Sequence, residues 1–448
     1  MTEDPAIRRR SAIFAVLAAM TLVVLDAAIT NVALPTIGHS LNVTTAASVL
    51  VVTAYQSALV MALLPCAALG DSLGHRRIFA WGVALFVVAS ALCASSPSLT
   101  WLVAARFLQG LGGAAVMSLG VALLRRVVPP SQLGTAVGWN ALTVALASAA
   151  GPAVGALILS VLPWPWLFAV NLPLGALALI ASRALPKAAG TGRRLNLLSM
   201  ALNAGAFGTF VLGAELLPAR PPAAAVLLVA AVISFAILVR RELPREAPLI
   251  PVDLLRLRPF RVSVIASVCC FIGQTVGMVA LPFYLQHSLH QTAFMTGLIV
   301  TPWPLTVALT APVAGRLADR VPSAWLCAAG GAVLALGLAG VAAWRVDGSP
   351  LPLVPFIILC GAGFGLFQVP NNREMFLGAP SGRSGAAGGM QGTARLTGQT
   401  TGAVVMTLLF SLVSADAAPS IGLAVGASMT SVAGLVSTLR RPRKTAEA

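Results

Sequence analysis

The sequence predicts an all-α polytopic membrane protein whose fourteen transmembrane helices form two six-helix bundles and an inserted two-helix hairpin. Two observations predict this fold: apolar segments of spanning length recur along the whole chain, and the second half repeats features of the first. Hydrophobic residues make up 58% of the 448 residues, charged residues only 9%, and the mean hydropathy is +0.91. A soluble globular chain is about half apolar and about a quarter charged, so these values indicate a membrane protein.

Fourteen apolar segments each approach the ~20 residues that a helix needs to cross the hydrocarbon core of a bilayer. They lie at 13–37, 48–69, 78–95, 99–123, 134–159, 165–182, 199–217, 222–239, 262–286, 294–314, 324–343, 352–371, 386–412 and 419–439. An even number of spans places both termini on one side of the membrane.

The distribution of positive charge predicts which side that is. Of the 29 Lys and Arg residues, all but four fall in loops on one side of the predicted spans. Arg220 and Arg345 lie in loops on the other side, and Arg106 and Arg395 lie within spans. Because cytoplasmic loops carry the excess of Lys and Arg, both termini are expected in the cytoplasm. The net charge of +16 is then explained by the membrane topology and does not indicate a nucleic-acid partner. The preference for Arg over Lys suggests a GC-rich bacterial genome, and hence the bacterial cytoplasmic (inner) membrane.

The chain contains an internal duplication, which predicts its domains. Four pairs of segments match in order at offsets of 247 to 251 residues: 32–35 with 279–282, 39–41 with 287–289, 69–71 with 317–319, and the glycine pattern of 134–151 with 385–402. Spans 1–6 and 9–14 are therefore two copies of one unit. We expect an N-terminal six-helix bundle at 1–185, a linker with the inserted hairpin (spans 7 and 8) and a cytoplasmic loop at 186–261, and a C-terminal bundle at 262–448.

The charges predicted inside the membrane do not follow this duplication. Asp26 in span 1 corresponds to Gly273 in the second copy, and Arg395 in span 13 corresponds to Val144 in the first. Two parallel repeats that enclose a binding site near the bilayer midplane are typical of secondary transporters. Alternating access of two similar halves around a bound cargo would require such an asymmetric site between them.

Residues 70–77, "GDSLGHRR", allow two interpretations. They match the G-x-S-x-G nucleophile elbow of serine hydrolases, with Ser72 as nucleophile. That elbow joins a strand to a helix and needs a positioned His and acid, whereas this serine lies between two predicted membrane helices. We therefore interpret the segment as a charged turn in which Asp71 matters and Ser72 is a linker.

The turn has a counterpart in the second half, at 315–320. A short turn between antiparallel helices needs glycine, and its carboxylate can contact an arginine or a neighbouring helix N-terminus. Such a contact would hold the cytoplasmic side in one state and break in the other. The predicted cytoplasmic gate comprises Asp71, Gly74, Arg76, Arg77, Asp319 and Arg320.

Span 1 carries a carboxylate, Asp26, near its middle. A charge there costs at least ~2.5 kcal/mol, so it should face a cavity or a partner, or carry a proton. Thr30 lies one turn away on the same face. Pro35 cannot donate to the carbonyl of Asn31, which leaves a polar backbone group free near the site.

Span 4, "RFLQGLGGAAVMSLG" (106–120), offers the partner. Arg106, Gln109, Gly110, Gly113 and Met117 share one helical face and provide a cation, an amide and a small-residue packing surface. Two hypotheses stay open: a static Asp26–Arg106 ion pair, or proton exchange at Asp26 governed by Arg106. In span 5, Ala147, Gly151 and Gly155 recur every four residues around Pro152, a pattern that lets helices pack closely.

These motifs resemble those of a known family. Residues 67–77 resemble the loop signature G-x-L-a-D-r-x-G-r-[KR]-x of the major facilitator superfamily, with His75 as a departure. Residues 106–113 resemble the R-x-x-Q-G-x-G motif of its proton-coupled members, and Gly151, Pro152 and Gly155 resemble its antiporter motif G-x-x-x-G-P-x-x-G-G. With "LDAAITNVALPTIG" (25–38), "WPWLFAVNLPLG" (164–175) and "PLIPVDLLRLRPF" (248–260), the whole chain resembles the fourteen-span drug:proton antiporter branch. Asn196 stands where that family usually carries Asp.

This resemblance implies efflux of amphipathic, often cationic drugs against inward proton flow. The expected substrate cavity includes Asp26, Thr30, Asn31, Gln109 and Met117 from the first half and Glu215, Tyr284, Gln286, Glu374 and Arg395 from the rest. Glu215 could attract cations or only mark the membrane interface. Glu374, beside Arg373, could belong to a surface pair or a second gate. Arg395 could bind an anion or pair with Glu374.

Other functions are less well supported by the sequence. No nucleotide-binding G-x-x-x-x-G-K-[ST] motif is present, the four His are dispersed, and no metal site or enzymatic activity is expected. The rival hypotheses are a proton-coupled exporter of a specific endogenous metabolite or siderophore, and a proton symporter for uptake. The expected partners are a small-molecule substrate, protons and membrane lipids, with no nucleic acid, no cofactor beyond the proton motive force, and a monomeric state.

Overall fold

The computed structural model describes residues 5–129, 133–187, 190, 196–243, 252–344, 349–378, 384–414 and 416–440. Every regular element in these ranges is helical. This agrees with the all-α prediction, and each helix lies within a few residues of a predicted span.

The first half of the chain forms seven helices. They are α1 (Pro5–Ser40), α2 (Thr45–Leu73), α3 (His75–Ala94), α4 (Leu99–Val127), α5 (Leu133–Val161), α6 (Trp166–Ala169) and α7 (Asn171–Ala181). Together α6, α7 and a following 3-10 turn make one broken span, Trp166–Ala184. The break falls at Val170 because Pro173 cannot donate to the carbonyl of Ala169.

Two helices follow as a hairpin, α8 (Leu197–Leu216) and α9 (Pro221–Glu242). The second half then forms α10 (Arg258–Phe283), α11 (Ala293–Val300), α12 (Pro302–Leu317), α13 (Ser323–Ala343), α14 (Val354–Gly378), α15 (Ser384–Leu412) and α16 (Ala417–Thr438). A π-helical turn, Tyr284–Ser288, extends α10. The pair α11 and α12 forms another broken span, Ala293–Leu317, whose break coincides with Pro302 and Pro304.

Twelve helices among the described residues are long and apolar enough to cross a membrane. The two predicted spans outside this set are α5, whose apolar part is Leu146–Val161, and α15, which begins with a run rich in glycine and polar residues. Both are helices of 29 residues, so a helix exists at every predicted position. The twelve helices show a multi-pass membrane protein, and a count of fourteen spans remains a prediction.

The turn between α2 and α3 is a single residue, Gly74, with a φ of 102°. A side chain is strained in that region of backbone space, and glycine is not. This agrees with the prediction that a tight turn at this position requires glycine.

The helices pack in two groups. The helices α1 to α7 contact mainly one another, and so do α10 to α16. The groups meet where α2 contacts α15 and where α5 contacts α11 and α12. The duplication relates α2 to α11 and α12, and α5 to α15, so these two contacts are equivalent. Within the residues described, this packing is what two six-helix bundles would give, although the exact domain boundaries are untested.

The hairpin packs on the outside of both groups. Its helices contact each other, and α8 also contacts α2 and α15. Only 17% of the apolar window of α9 is buried inside the protein, so most of α9 faces lipid.

Asn196 begins the hairpin and explains one departure from the family pattern. Its Nδ2 donates to Oε1 of the buried Glu242 at 3.1 Å, and its Oδ1 accepts from the Ser199 amide at 3.4 Å. The Ser199 hydroxyl donates to the same Glu242 oxygen at 2.6 Å. An aspartate at 196 would bring a second carboxylate to Glu242 in place of a donor.

Candidate functional site

The carboxylate of Asp26 lies inside the first helical group and is 1% exposed. Its Oδ2 lies 2.5 Å from Nη1 of Arg106 on α4. Its Oδ1 accepts from Nε2 of Gln109 at 3.0 Å and from Nδ2 of Asn171, the first residue of α7, at 2.6 Å. The structure therefore brings Asp26, Arg106 and Gln109 together, as the helical spacing predicts.

A second layer of contacts holds these donors in place. The hydroxyl of Ser90 on α3 accepts from Gln109 at 2.8 Å and from Asn171 at 3.4 Å. Nη1 of Arg106 also donates to Oε1 of Gln109 at 2.5 Å. Four helices thus converge on one carboxylate, and each contributes a polar group that would be costly in lipid.

Sequence reasoning missed Asn171 and Ser90. Both are polar residues inside apolar spans, and that signal alone marks candidates for a buried network. Their distance along the chain from Asp26 gave no indication of which partner they would contact.

Arg106 also connects the site to α2. Its Nε donates to the carbonyl of Val51 at 3.2 Å, and its guanidinium lies 4.2 Å from the ring centroid of Tyr55 and 5.6 Å from that of Phe168. The Tyr55 hydroxyl donates to the carbonyl of Val23 at 3.3 Å. An aromatic face placed in this way attracts the guanidinium charge, so Arg106 has a partner besides the acid.

The other predicted residues of this region have different surroundings. The Thr30 hydroxyl donates to the backbone carbonyl of Asp26 at 2.8 Å, so it contacts the helix rather than the carboxylate. Oδ1 of Asn31 is buried with no hydrogen-bond partner. Met117 packs, partly buried, against the apolar cluster of the first group. Whether these three line a substrate cavity is untested.

Arg395 lies on α15, which packs against α2 across the two groups. Its Nε is buried with no hydrogen-bond partner, and Tyr55 of α2 lies near it. Among the described residues it forms no ion pair with Glu374, which lies near Cys327 instead. The alternative in which Arg395 pairs with Glu374 is not what the structure shows.

The turns at Asp71 and Asp319 differ in their contacts. Oδ1 of Asp71 lies 3.1 Å from Nε2 of His75, one helical turn along the chain. The guanidinium of Arg77 lies 4.6 Å from the ring centroid of Trp81, and one terminal nitrogen of Arg76 is buried without a partner. Ser72 lies at the end of α2, and no strand precedes it in the described part of the chain, which is the setting of a turn and not of a nucleophile elbow.

The second-half turn forms an interhelical ion pair. Oδ1 of Asp319 lies 2.9 Å from Nη2 of Arg373 on α14, and Arg373 also donates to the carbonyl of Ala318. Arg320 is exposed. The acid that Arg373 contacts is Asp319 rather than the neighbouring Glu374, and whether this pair forms a gate is untested.

The glycines of α5 form its contact with α1. A Cβ at Gly151 would overlap the Cβ of Ala28, and one at Gly155 would lie 3.2 Å from Cγ2 of Ile29. Beside them, a Cβ at Gly297 on α11 would lie 2.7 Å from the carbonyl of Pro152. The antiporter-like motif therefore lies where α1, α5 and α11 meet.

Gln286 joins the two groups at one end. Its Nε2 donates to the carbonyl of Val32 at 3.1 Å, and its Oε1 lies 3.4 Å from the Thr36 hydroxyl. Tyr284, two residues earlier, contacts the carbonyl of Trp344 at 3.5 Å. Gln286 thus links α1 to the π-helical turn that extends α10.

Glu215 lies between α8 and α15. It contacts Thr407 of α15, and its Oε1 is buried with no hydrogen-bond partner. Glu215 therefore lies at the hairpin's contact with the second group rather than beside Asp26 or Arg395.

A helical membrane protein built from two packed repeats, with a buried acid–base network in one of them, belongs to the class of secondary transporters. The comparisons identify the family. The family model of the Major Facilitator Superfamily matches residues 16–403 and 263–448. The chain belongs to the Major Facilitator Superfamily, and it is a transporter rather than an enzyme.

Three relatives illustrate what the chain is similar to. An uncharacterized transporter of Escherichia coli (strain K12), YebQ, is 43% identical over 99% of this chain and 98% of its own. The riboflavin transporter RibZ of Clostridioides difficile (strain 630) is 29% identical over 83% and 81%. The tetracenomycin C resistance and export protein of Streptomyces glaucescens is 29% identical over 91% and 77%.

Solved structures support the fold. A peptide transporter, POT, in a complex with alafosfalin matches with a TM-score of 0.72 over 98% of both chains at 14% sequence identity. At that identity the likeness concerns the fold alone.

Proposed function

We propose that this protein is a fourteen-span, proton-coupled antiporter that exports amphipathic small molecules by alternating access between its two helical groups. The observation that carries the proposal is the buried carboxylate of Asp26, which has one cationic partner, Arg106, and lies in the middle of a membrane helix. A single acid with a single counter-ion can exchange its charge by taking up a proton.

The exchange would work through Arg106. While Asp26 is ionised, its attraction holds the guanidinium against Oδ2 at 2.5 Å. A proton on Asp26 removes that attraction and leaves the guanidinium with Gln109, the Val51 carbonyl and the Tyr55 ring. Val51 and Tyr55 are on α2, which contacts the second group through α15. A change in the charge of Asp26 would therefore alter the contacts of a helix at the interface between the two groups.

The alternative to a proton-exchange site is a static, purely structural ion pair between Asp26 and Arg106. Complete hydrogen bonding of Asp26 by Arg106, Gln109 and Asn171 would suit a structural pair equally well. The proton site is favoured because the cation is shared between the acid and α2, a helix of the interface between the two groups, and is not confined to the acid.

Export is supported by the relatives whose printed names state resistance and export. It is also supported by the antiporter-like glycines, which lie at the contact of α1, α5 and α11. We propose that this contact rocks as the two groups exchange access, and that Asp319–Arg373 and the turn at Asp71 hold the cytoplasmic side. The protein would work as a monomer in a bacterial inner membrane.

A second candidate is proton-coupled uptake. The observation that favours it is Arg395, a cation near Tyr55 without an acid partner among the described residues. A proton on Asp26 would add positive charge on the same side of the interface and would draw an anionic cargo in together with the proton.

Proteoliposomes with an imposed pH gradient distinguish these functions. An antiporter accumulates cargo in an acidic lumen, and a symporter accumulates it in an alkaline lumen. Compounds are first selected by growth protection of a drug-hypersensitive strain on a panel of amphipathic cations, anions and zwitterions.

Asp26→Asn should abolish gradient-driven accumulation in either case but leave gradient-independent counterflow. Asp416→Asn, an exposed aspartate at the start of α16, is the matched control. Unchanged accumulation in Asp26→Asn would overturn the proton-site assignment. Protection against one compound only would favour the exporter of a specific metabolite or siderophore.

A further inference from the structure

Arg395 is a cation inside a predicted span that has no neutralising group among the described residues. It lies eleven residues into α15, within the predicted span 386–412. The described part of the chain gives it no hydrogen bond and no ion pair, and its Nε is buried and unpartnered. A buried charge of this kind is costly, and it commonly marks the path of an ion or a substrate.

The acids of the described residues lie elsewhere. Asp26 is held by Arg106, and Glu215 contacts Thr407, which is twelve residues or ~18 Å from Arg395 along α15. The remaining acids with described side chains are Asp71 beside His75, Asp319 on Arg373, Glu374 near Cys327, Glu242 on Asn196 and Ser199, and the exposed Asp416. The described part of the chain therefore supplies no counter-ion to Arg395.

The guanidinium of Arg395 has space beside it for a bound anion. Arg395 as a whole is only partly buried, and Nε is its single nitrogen that is both buried and unpartnered. Its two terminal nitrogens therefore border open space. The neighbouring Leu396 packs into the apolar cluster of the first group, with Leu59 and Leu63 of α2, so this space lies at the interface between the two groups.

We propose that Arg395 binds an acidic group of the cargo, a carboxylate, sulfonate or phosphate, so that the cargo is an amphipathic anion or zwitterion rather than a simple cation. This inference rests on the proposed function only in that the chain moves a small molecule, and it holds for either direction of transport. It replaces the expectation of a cationic drug, because a lone cation would meet a positive site.

The chemistry of Arg395 fits such a cargo. A guanidinium has paired donors that match the oxygens of carboxylate, sulfonate and phosphate groups. Tyr55, which is near Arg395, is itself buried and has Arg106 over its ring at 4.2 Å. A cargo bound at Arg395 is therefore separated from the Asp26–Arg106 pair by one buried aromatic ring.

Three fluorescent probes with one apolar body test the charge preference. Pyrenebutyrate is an anion, its methyl ester is neutral, and pyrenebutylamine is a cation. Binding of each is titrated on the purified full-length protein in nanodiscs. We expect the anion to bind at least about tenfold more tightly than the ester or the amine, as a charge-assisted contact in a buried site should give.

The variant Arg395→Gln should weaken pyrenebutyrate binding by at least about tenfold, leave the ester unchanged and strengthen binding of the amine, whereas Arg395→Lys should retain a large part of the anion affinity. Arg220→Gln, at the exposed N-cap of α9, is the matched control, and a size-exclusion profile checks folding. Equal binding of the three probes, preference for the amine, or an unchanged anion affinity in Arg395→Gln would each overturn the inference.

The two proposals fail in different ways. Anion binding that depends on Arg395 but without accumulation in either pH gradient would overturn the proposed function and support the cargo assignment. Gradient-driven accumulation of the amine or ester, unaffected by Arg395→Gln, would overturn the cargo assignment and leave the transporter function standing.

Discussion

The carboxylate of Asp26 is paired and hydrogen-bonded as completely as a buried acid can be. Arg106 binds one oxygen, and Gln109 and Asn171 bind the other. In water the ion pair would contribute little, but in a buried site the loss of one partner leaves the other charge uncompensated. The site is therefore sensitive to the charge on either residue.

Removal of the Asp26 charge should destabilise the protein, and removal of both charges should restore part of the stability. For Asp26→Asn we expect a loss of about 3–5 kcal/mol, because Arg106 remains buried without an acid. The double variant Asp26→Asn/Arg106→Gln should unfold at a higher temperature than Asp26→Asn alone. Thermal unfolding in detergent measures both.

Transport by the double variant separates the two hypotheses for this pair. A proton site predicts that it is stable but uncoupled, with counterflow and no gradient-driven accumulation. Normal gradient-driven transport would show instead that the pair is only structural.

At the scale of the helix, the contact between α1 and α5 depends on glycine. A methyl group at Gly151 would overlap Ala28, whose short side chain cannot move aside, whereas nothing lies within 4 Å of a Cβ at Gly205 on α8. Gly151→Ala should therefore force the helices apart and lower both the unfolding temperature and the transport rate. Gly205→Ala should be neutral or slightly stabilising because alanine favours helix. Equal behaviour of the two variants in thermal unfolding would contradict this packing.

The hairpin depends on the pairing of Asn196 with Glu242. Asn196→Asp replaces a donor with a second carboxylate at 3.1 Å from Oε1, so we expect a loss of about 1–3 kcal/mol. The second change Glu242→Gln supplies a donor and should restore most of the unfolding temperature. If Asn196→Asp is as stable as the original protein, the contact does not hold the hairpin.

On the scale of the whole molecule, Gln286 joins the two groups through Val32 and Thr36. In the double variant Thr36→Cys/Gln286→Cys, a bifunctional methanethiosulfonate reagent that spans the lost length of the glutamine should crosslink the two cysteines and block transport, because alternating access must separate these residues. Reduction should restore transport. Each single variant is the control, and full transport by the crosslinked protein would show that this contact does not open.

The span positions were predictable because hydropathy is a local property of the chain, and a helix occupies each predicted position. The breaks at Val170 and Thr301 were not predicted. Each coincides with prolines, but a proline inside a membrane helix can be tolerated when other groups satisfy the freed backbone. Pro35 and Pro65 lie inside uninterrupted helices.

The site was predictable only in part. Asp26 and Arg106 are the charges of spans 1 and 4, so their contact follows from the cost of leaving either alone in a membrane. Asn171, Ser90 and Tyr55 reach the same site from other helices, and helical rotation and packing decide which polar residues meet. The sequence around each residue does not contain that information. For the same reason, the sequence could not show that Arg395 has no acid near it among the described residues.

The most direct test of the account asks whether Asp26 takes up a proton, and it needs no substrate. Difference infrared spectroscopy of the purified protein is recorded between about pH 8 and about pH 5, the range in which a proton-exchanging group must change state. We predict a protonated-carboxyl band that appears as the pH falls and is missing in Asp26→Asn but present in Asp416→Asn. Spectra of the original protein and Asp26→Asn that show the same carboxyl bands would mean that Asp26 does not change its protonation state in this range, and would contradict the account.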